Sequence, residues 1–243
     1  MQKDELIKRY YSQILLDELS IEKQELLSKK SITVIGCGGL GSPLAAYLAG
    51  AGVGKIKLVD DDTVELRNLH RQVFFSENDL GLKKVKALSD YLKNLNSNTT
   101  IEIHDKKSWE LSYDNIKSDL LIDCADNLRT SYDLNRVCSK ERVAFLTASI
   151  AAHVGQILLF SNDSQHCCLE CVFPSEGELD ANDCADVGVL GPSVALVSSL
   201  QSLIALDFLL EQKSHSNHIY RINTKEFLIN KNKVLSDSSC KIK

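Results

Sequence analysis

Apolar residues along the chain fall into short continuous runs separated by stretches of helical periodicity. Residues 4–30 carry apolar positions at helical spacing and predict two short amphipathic helices. The run SITVI, Ser31–Ile35, predicts a strand that breaks into the glycine cluster GCGGLG, with a helix from 41 to 50 beyond it. KIKLV, Lys55–Val59, predicts a second strand running into Asp60, Asp61 and Asp62. Helical spacing returns over 82–95, and TTIEIH, DLLIDC and VAFLTAS predict strands three to five with helical segments between them. From HVGQILLFS onward the pattern changes to antiparallel-type strands, a polar loop over 175–186, a long apolar helix, and a closing pair, IYRIN and EFLINKNKVL.

Alternating strands and helices mark an α/β fold. The expected architecture is a Rossmann-like, mostly parallel sheet with N-terminal helices and a C-terminal antiparallel extension, its sites at the strand carboxyl ends. Neither an internal repeat nor a low-complexity linker interrupts it, so residues 1–243 are expected to form a single domain. Within it, 1–30 would be the N-terminal helices, 31–150 a nucleotide-binding core, and 151–243 a C-terminal part that carries most of the cysteines.

Composition narrows the partners. The chain has 243 residues, 44% of them hydrophobic, enough for a sizeable core. Net charge is −5 with Lys and Arg scattered, which offers no electrostatic footprint for nucleic acid or a membrane surface. The charged start MQKDELIKRYYSQ lacks the apolar centre of a signal peptide, and a cytoplasmic location is expected. The apolar stretch 187–210 carries Ser198, Ser199, Gln201, Ser202 and Asp207, too many polar groups for a membrane span, and reads as a buried helix. Eight cysteines in this setting favour free thiols, a metal site or a reactive sulfur over a disulfide framework.

The glycine cluster is the first candidate for chemistry. Gly36, Gly38, Gly39 and Gly41 allow a tight turn and bring backbone N–H groups and a helix N-terminus close to phosphate. Asp60, ending the next strand, is placed to accept hydrogen bonds from ribose hydroxyls. A dinucleotide needs little more, which keeps an NAD-binding oxidoreductase as an alternative. ATP chemistry recruits cations and a metal, and this chain offers cationic side chains and a candidate metal ligand at one sheet edge. Arg67 and Arg71 lie in RNLHRQ, Lys83 and Lys84 in GLKKVK, and Asp126 and Asn127 just past strand four in DCADN. Together they favour a triphosphate site, with Asp126 a candidate Mg²⁺ ligand.

GCGGLGSP, VDDDTVELRNLHRQ, GLKKVKA, DCADN and CLEC, in this order, resemble the ThiF/MoeB/HesA family, bacterial relatives of ubiquitin-activating enzymes. RYYSQILLDEL and NDCADVGVLGP look most like its thiamine-pathway branch, with the molybdopterin branch close behind. The resemblance implies ATP- and Mg²⁺-dependent adenylation of the C-terminal Gly-Gly carboxylate of a ubiquitin-like sulfur-carrier protein, by a homodimer. Carried over by motif, Gly39 lies beside the nucleotide, Asp60 binds ribose, and Asp62 joins the same site. Arg67, Asn68, Leu69, His70 and Arg71 line the phosphates, Lys84 binds phosphate, and Asp126 ligates Mg²⁺ with Asn127 beside it. Arg71, Lys84 and Asp126 are the expected catalytic groups. With no rhodanese-like segment in the sequence, sulfur is expected from a separate donor protein.

Two departures stand against this resemblance. Cys168 and Cys171 have the C-x-x-C spacing that grips one tetrahedral Zn²⁺, which is half a site. The family closes its zinc with a second such pair; here Cys240 matches and its partner position holds Lys243. The open alternatives are Cys167, Asp237, a water or another carboxylate as fourth ligand, or no metal. Family members also read Arg-Tyr-x-Arg-Gln near the N-terminus, the second Arg reaching into the partner's ATP site, whereas this chain has Ser12 there. A non-catalytic carrier-binding relative is therefore a further alternative. Cys184, among Asp180, Asp183 and Asp186, reads from its neighbours as a plain loop thiol; the resemblance gives it a sulfur-transfer role. Cys37, Cys124 and Cys138 are expected to be packing residues.

Overall fold

A computed structural model describes residues 3–161, 167–174, 187–212, 214–240 and 242. Eight strands form one sheet in the order β3-β2-β1-β4-β5-β6-β7-β8. In chain order they are β1 (Ser31–Ile35), β2 (Lys55–Val59), β3 (Thr100–His104), β4 (Leu120–Asp123), β5 (Ala144–Ala151), β6 (Val154–Phe160), β7 (His218–Asn223) and β8 (Leu228–Lys233). The first five pair in parallel; β6, β7 and β8 add on antiparallel from β5. The helices are α1 (Lys3–Ile14), α2 (Ile21–Leu27), α3 (Gly41–Ala51), α4 (Lys84–Leu95), α5 (Tyr113–Ile116), α6 (Leu128–Glu141), α7 (Leu169–Val172) and α8 (Gly191–Leu209). The α/β architecture with helices before the sheet and an antiparallel extension after it is the expected one.

Both faces of the central strands are covered, which is why they read as unbroken apolar runs. Strand alternation sends Ile32, Val34, Ile56, Leu58, Leu120 and Ile122 into one core layer, beneath α3, α4 and α8. Leu121, Phe145, Leu158 and Phe160 go into the other, with Leu134 and Cys138 of α6 and Leu169 of α7. The rings of Phe145 and Phe160 stack there with centroids 6.3 Å apart, each burial contributing about 1.5–3 kcal/mol.

Helix α8 is long and apolar enough by composition to cross a membrane, yet half of it is buried, against α3, β5 and β6. Its polar residues serve internal hydrogen bonds. Ser198 Oγ donates to the Leu40 carbonyl at 2.7 Å. Gln201 Nε2 donates to the Asp123 carbonyl at 3.2 Å, while its Oε1 accepts from the Cys124 thiol at 3.5 Å. These bonds tie α8 to the turns that follow β1 and β4. The chain leaves β1 toward β2 and β3 on one side and returns from β3 to β4 on the other. The carboxyl ends of β1 and β4 thus flank a topological switch point, where α/β sheets bind ligands.

Candidate active site

A cavity of about 380 Å³ occupies that switch point, within the range of roughly 300–1,000 Å³ usual for ligand pockets. Its floor is the glycine turn. Gly36 has φ +89°, and a Cβ there would sit 2.7 Å from the Cys124 carbonyl oxygen. A Cβ on Gly41 would come within 1.9 Å of the Gly36 carbonyl oxygen. Only glycine at both positions lets the turn fold back on itself and α3 start where it does. Gly38 and Gly39 line the cavity, while Gly41 lies beneath them.

Asp60, at the end of β2, clamps this turn: Oδ2 accepts from the Cys37 N–H at 2.6 Å and Oδ1 from the Asp62 N–H at 2.8 Å. Burial raises its carboxyl above the ordinary range, against the Lys84 charge and those two N–H groups. Lys84 opens α4 with its side chain only 5% exposed, and its Nζ meets Asp62 Oδ2 at 2.7 Å. Asp60, Asp62 and Lys84 all line the cavity.

Arg71 and His70 face the same space. Arg71 Nη2 donates to Asn68 Oδ1 at 3.0 Å, and Nη1 lies 2.9 Å from His70 Nε2. Neither partner is a carboxylate, so the guanidinium charge stays available to the cavity. Asn68 reaches the site through Arg71. Arg67 and Leu69, expected at the phosphates, stand apart from the cavity wall. Residues 66–68 form a 3-10 turn, which turns Arg67 outward, 82% exposed, onto Glu65 at 2.5 Å, and packs Leu69 against the core.

The opposite wall follows β4. Asp126 is exposed in the cavity lining; Asn127 caps α6, its Oδ1 accepting from the Thr130 N–H at 2.9 Å. Behind them lies Asp123, fully buried and overlooked in the sequence reading. Its Oδ1 accepts from the Ala125 N–H at 3.0 Å and its Oδ2 from the Thr147 hydroxyl at 2.9 Å. Burial pushes its carboxyl up to about 6, opposed by hydrogen bonds from Ser131, Ala125 and Thr147 and reinforced by Asp126. Gln72, Ser131, Ser149, Ile150, Val187, Gly188, Val189 and Val194 complete the lining. An isolated bridge between Ala152 and Val189 holds the 187–189 segment beside β5.

Cys37, Cys124 and Cys138 are buried, and burial raises all three thiols well above the ordinary cysteine value. Cys124 also touches the cavity. Cys184 lies outside the described residues. Away from the cavity, the sulfurs of Cys168, Cys171 and Cys240 come together, all within 4.8 Å of one another. Ser12 is exposed on α1, whereas Gln13 next to it turns inward to the Ala51 carbonyl at 3.1 Å.

A glycine turn, a carboxylate clamp, two cations and an exposed carboxylate thus surround one crevice at the switch point of a Rossmann-like sheet. Solved structures share the fold. Escherichia coli MccB with ATP superposes with a TM-score of 0.82 at 21% identity, over 96% of this chain and 74% of that one. The structure of PaaA gives 0.80 at 19%, over 98% and 76%. The ThiF family model matches residues 10–242, and the chain belongs to the ThiF family. It is 36% identical to the sulfur carrier protein ThiS adenylyltransferase of Escherichia coli K12, over 83% of this chain and 80% of that protein. It is 38% identical to the adenylyltransferase and sulfurtransferase MOCS3 of Anopheles gambiae, over 85% of this chain and 47% of that protein. The chain thus spans about half the length of the MOCS3 relatives it matches.

Proposed function

We propose that residues 1–243 form one adenylation domain that uses ATP and Mg²⁺ to activate the C-terminal Gly-Gly carboxylate of a ubiquitin-like sulfur-carrier protein. The observation that carries this reading is the crevice itself, where Arg71 and Lys84 face the exposed carboxylate of Asp126 across a turn that only glycine can form. The cradle fits a triphosphate: a Cβ would fill it, two cations border it, and Asp126 is a hard oxygen donor suited to Mg²⁺. When bound, Mg²⁺ neutralises charge on the phosphates. Asp60, already holding the Gly turn, presents its remaining lone pairs to ribose. Arg71 and Lys84 orient the phosphates and balance the charge that grows as two anions meet.

The carrier's carboxylate oxygen forms a bond to the α-phosphorus, the bond to the bridging oxygen breaks, and pyrophosphate leaves with its electron pair. No protein base takes part, because a C-terminal carboxylate is ionised at neutral pH. Thiocarboxylate formation then needs sulfur from a separate donor protein, with Cys184 proposed to take part in the sulfur transfer that follows adenylation.

We assign the carrier to the thiamine thiazole branch on the motif NDCADVGVLGP, with the molybdopterin carrier as the second reading. We read the protein as a cytoplasmic homodimer. Exchange of labelled pyrophosphate into ATP, run with each carrier type, tests the assignment: exchange with a thiamine-type carrier alone is expected. Tight nicotinamide binding without exchange would overturn it. Ser12→Arg restores a charge on exposed α1, and about a tenfold faster exchange is expected; an unchanged rate would show that the position is not catalytic in this chain.

A further inference from the structure

The two cations of the crevice stand in different states. Arg71 rests on Asn68 Oδ1 and on His70 Nε2; a guanidinium only donates, so both partners serve as acceptors and leave its charge uncancelled. Lys84 instead already holds a carboxylate, Asp62 Oδ2 at 2.7 Å. A phosphate approaching Lys84 therefore meets an occupied ammonium.

Within this pair Lys84 is the fixed member. Its side chain is 5% exposed, and it opens α4, whose first turn is pinned to the 61–63 segment. The Lys84 N–H donates to the Asp62 carbonyl at 3.0 Å, and Thr63 bridges Lys83. Lys83 Nζ is drawn off to the Asp61 carbonyl at 2.8 Å and Asp105 Oδ1 at 2.9 Å. An ammonium taken this far out of water needs a negative partner. The Lys84 charge also reaches Asp60, but the two oxygens of Asp60 are committed to the Asp62 and Cys37 N–H groups.

Asp62 is the mobile member. Its side chain is 65% exposed and grips Lys84 through Oδ2 alone. Turning outward costs such a carboxylate little, because water already covers most of it, and the buried Lys84 cannot follow.

Both groups line the cavity. A phosphate oxygen and the Asp62 carboxylate compete for one ammonium and repel each other as they do so. We infer that Asp62 is a placeholder for phosphate: it neutralises Lys84 when no phosphate does and swings out when a polyphosphate takes the ammonium, which makes it a residue that selects occupants by charge. A neutral or weakly charged occupant leaves the pair closed, whereas a triphosphate or pyrophosphate brings enough charge to open it. As pyrophosphate leaves, Asp62 returns, and the buried ammonium keeps a partner throughout. The inference rests on the reading of the crevice as a phosphate site and adds the group that phosphate displaces.

Its test measures binding of inorganic pyrophosphate to the full chain by calorimetry, without divalent metal and at fixed ionic strength. Asp62→Asn keeps the size and backbone bonds of Asp62 and removes its charge, with Asp60 left to balance Lys84. About tenfold tighter binding than in the parent is expected. Asp126→Asn, which removes an equal charge from the opposite wall, is expected to tighten it by no more than about twofold. A residue that only supported the site would weaken binding when replaced, so the sign of the change separates the two roles. Equal or weaker binding by a folded Asp62→Asn, or an equal gain from Asp126→Asn, would overturn the placeholder while leaving the phosphate reading intact. A parent that binds neither pyrophosphate nor ATP would defeat that reading and the placeholder with it. Should Asp62→Asn not fold, the carboxyl carbon resonance of Asp62 in the parent decides: it is expected to move as pyrophosphate is added, and a fixed resonance at saturation would overturn the displacement.

Discussion

At the crevice the backbone does the shaping, and charged side chains are added around it; at the thiol cluster the side chains do the shaping, and the backbone between them is irregular. The glycine turn is fixed by β1, α3 and the Cys124 carbonyl, with Asp60 clamping it through two N–H groups. The thiol cluster joins a one-turn helix to a C-terminal turn 72 residues away in sequence, with no strand pairing between them. The thiol cluster places three sulfurs within 4.8 Å of one another, a spacing that suits a shared cation.

Breaking the first region has the largest effect. Gly41→Ala drives a methyl group into the Gly36 carbonyl, and a loss of at least about 3 kcal/mol is expected. Denaturant unfolding measures it, and a stability within about 0.5 kcal/mol of the parent would show that the turn is not the keystone described.

Next come the groups added around that backbone. Asp126→Asn and Arg71→Ala are each expected to slow pyrophosphate exchange about 100- to 1,000-fold. Neither side chain is needed by the fold: Asp126 is exposed, and among the described residues the Arg71 guanidinium hydrogen bonds to Asn68 and His70, which flank it in sequence. Stability should therefore stay within about 0.5 kcal/mol. A large fall in stability with intact exchange would reverse the division of labour drawn between backbone and side chains.

The division also explains what sequence could convey. Strands buried on both faces announce themselves as apolar runs, and α8 carries Ser198 and Gln201, which hydrogen bond inward to other elements, while Ser202 bonds back to the Ser198 carbonyl of its own helix. Gly36, Asp60, Lys84 and Asp126 were legible because each stands at a strand end or helix start, and Arg71 through the charged run RNLHRQ that holds it. Asp123 was hidden inside DLLIDC, where it looks like part of a strand; only the meeting of Thr147, Ser131 and Gln201 around it reveals a buried carboxyl. Val187, Gly188, Val189 and Val194 enter the cavity from more than a hundred residues beyond the turn, with no local signal. Arg67 and Leu69 share a motif with Arg71, but the 3-10 turn points them elsewhere.

Asp123 sharpens the contrast, since it is the buried charge beneath the crevice. Its carboxyl stands at about 6 in the fold against an ordinary 3.8. A raised acid favours the folded state most while protonated, so its contribution is full below pH 4 and is lost as pH rises through about 6. The span corresponds to about 3 kcal/mol. Unfolding free energy of the parent should fall relative to Asp123→Asn between pH 4 and 7. Parallel curves for the two proteins would mean that the carboxyl is ionised in the fold without penalty.

Metal removal gives the smallest expected effect and separates the two regions most cleanly. With zinc present at about a hundredfold over its dissociation constant, chelation should lower stability by about 2–3 kcal/mol. Cys240→Ser, lacking one of three sulfurs, should show little of that sensitivity. Because Leu169, Leu134, Cys138, Phe145 and Phe160 share the core layer on the cluster's side of the sheet, protection of amide hydrogens should drop in α6, α7 and the β6–β8 edge. The crevice belongs to the opposite layer, through Val34, Leu58 and Val194, and pyrophosphate exchange should persist in the chelated protein. Loss of exchange in step with loss of metal would show that the two regions are energetically one, and that the thiol cluster supports the crevice through β4 and α6.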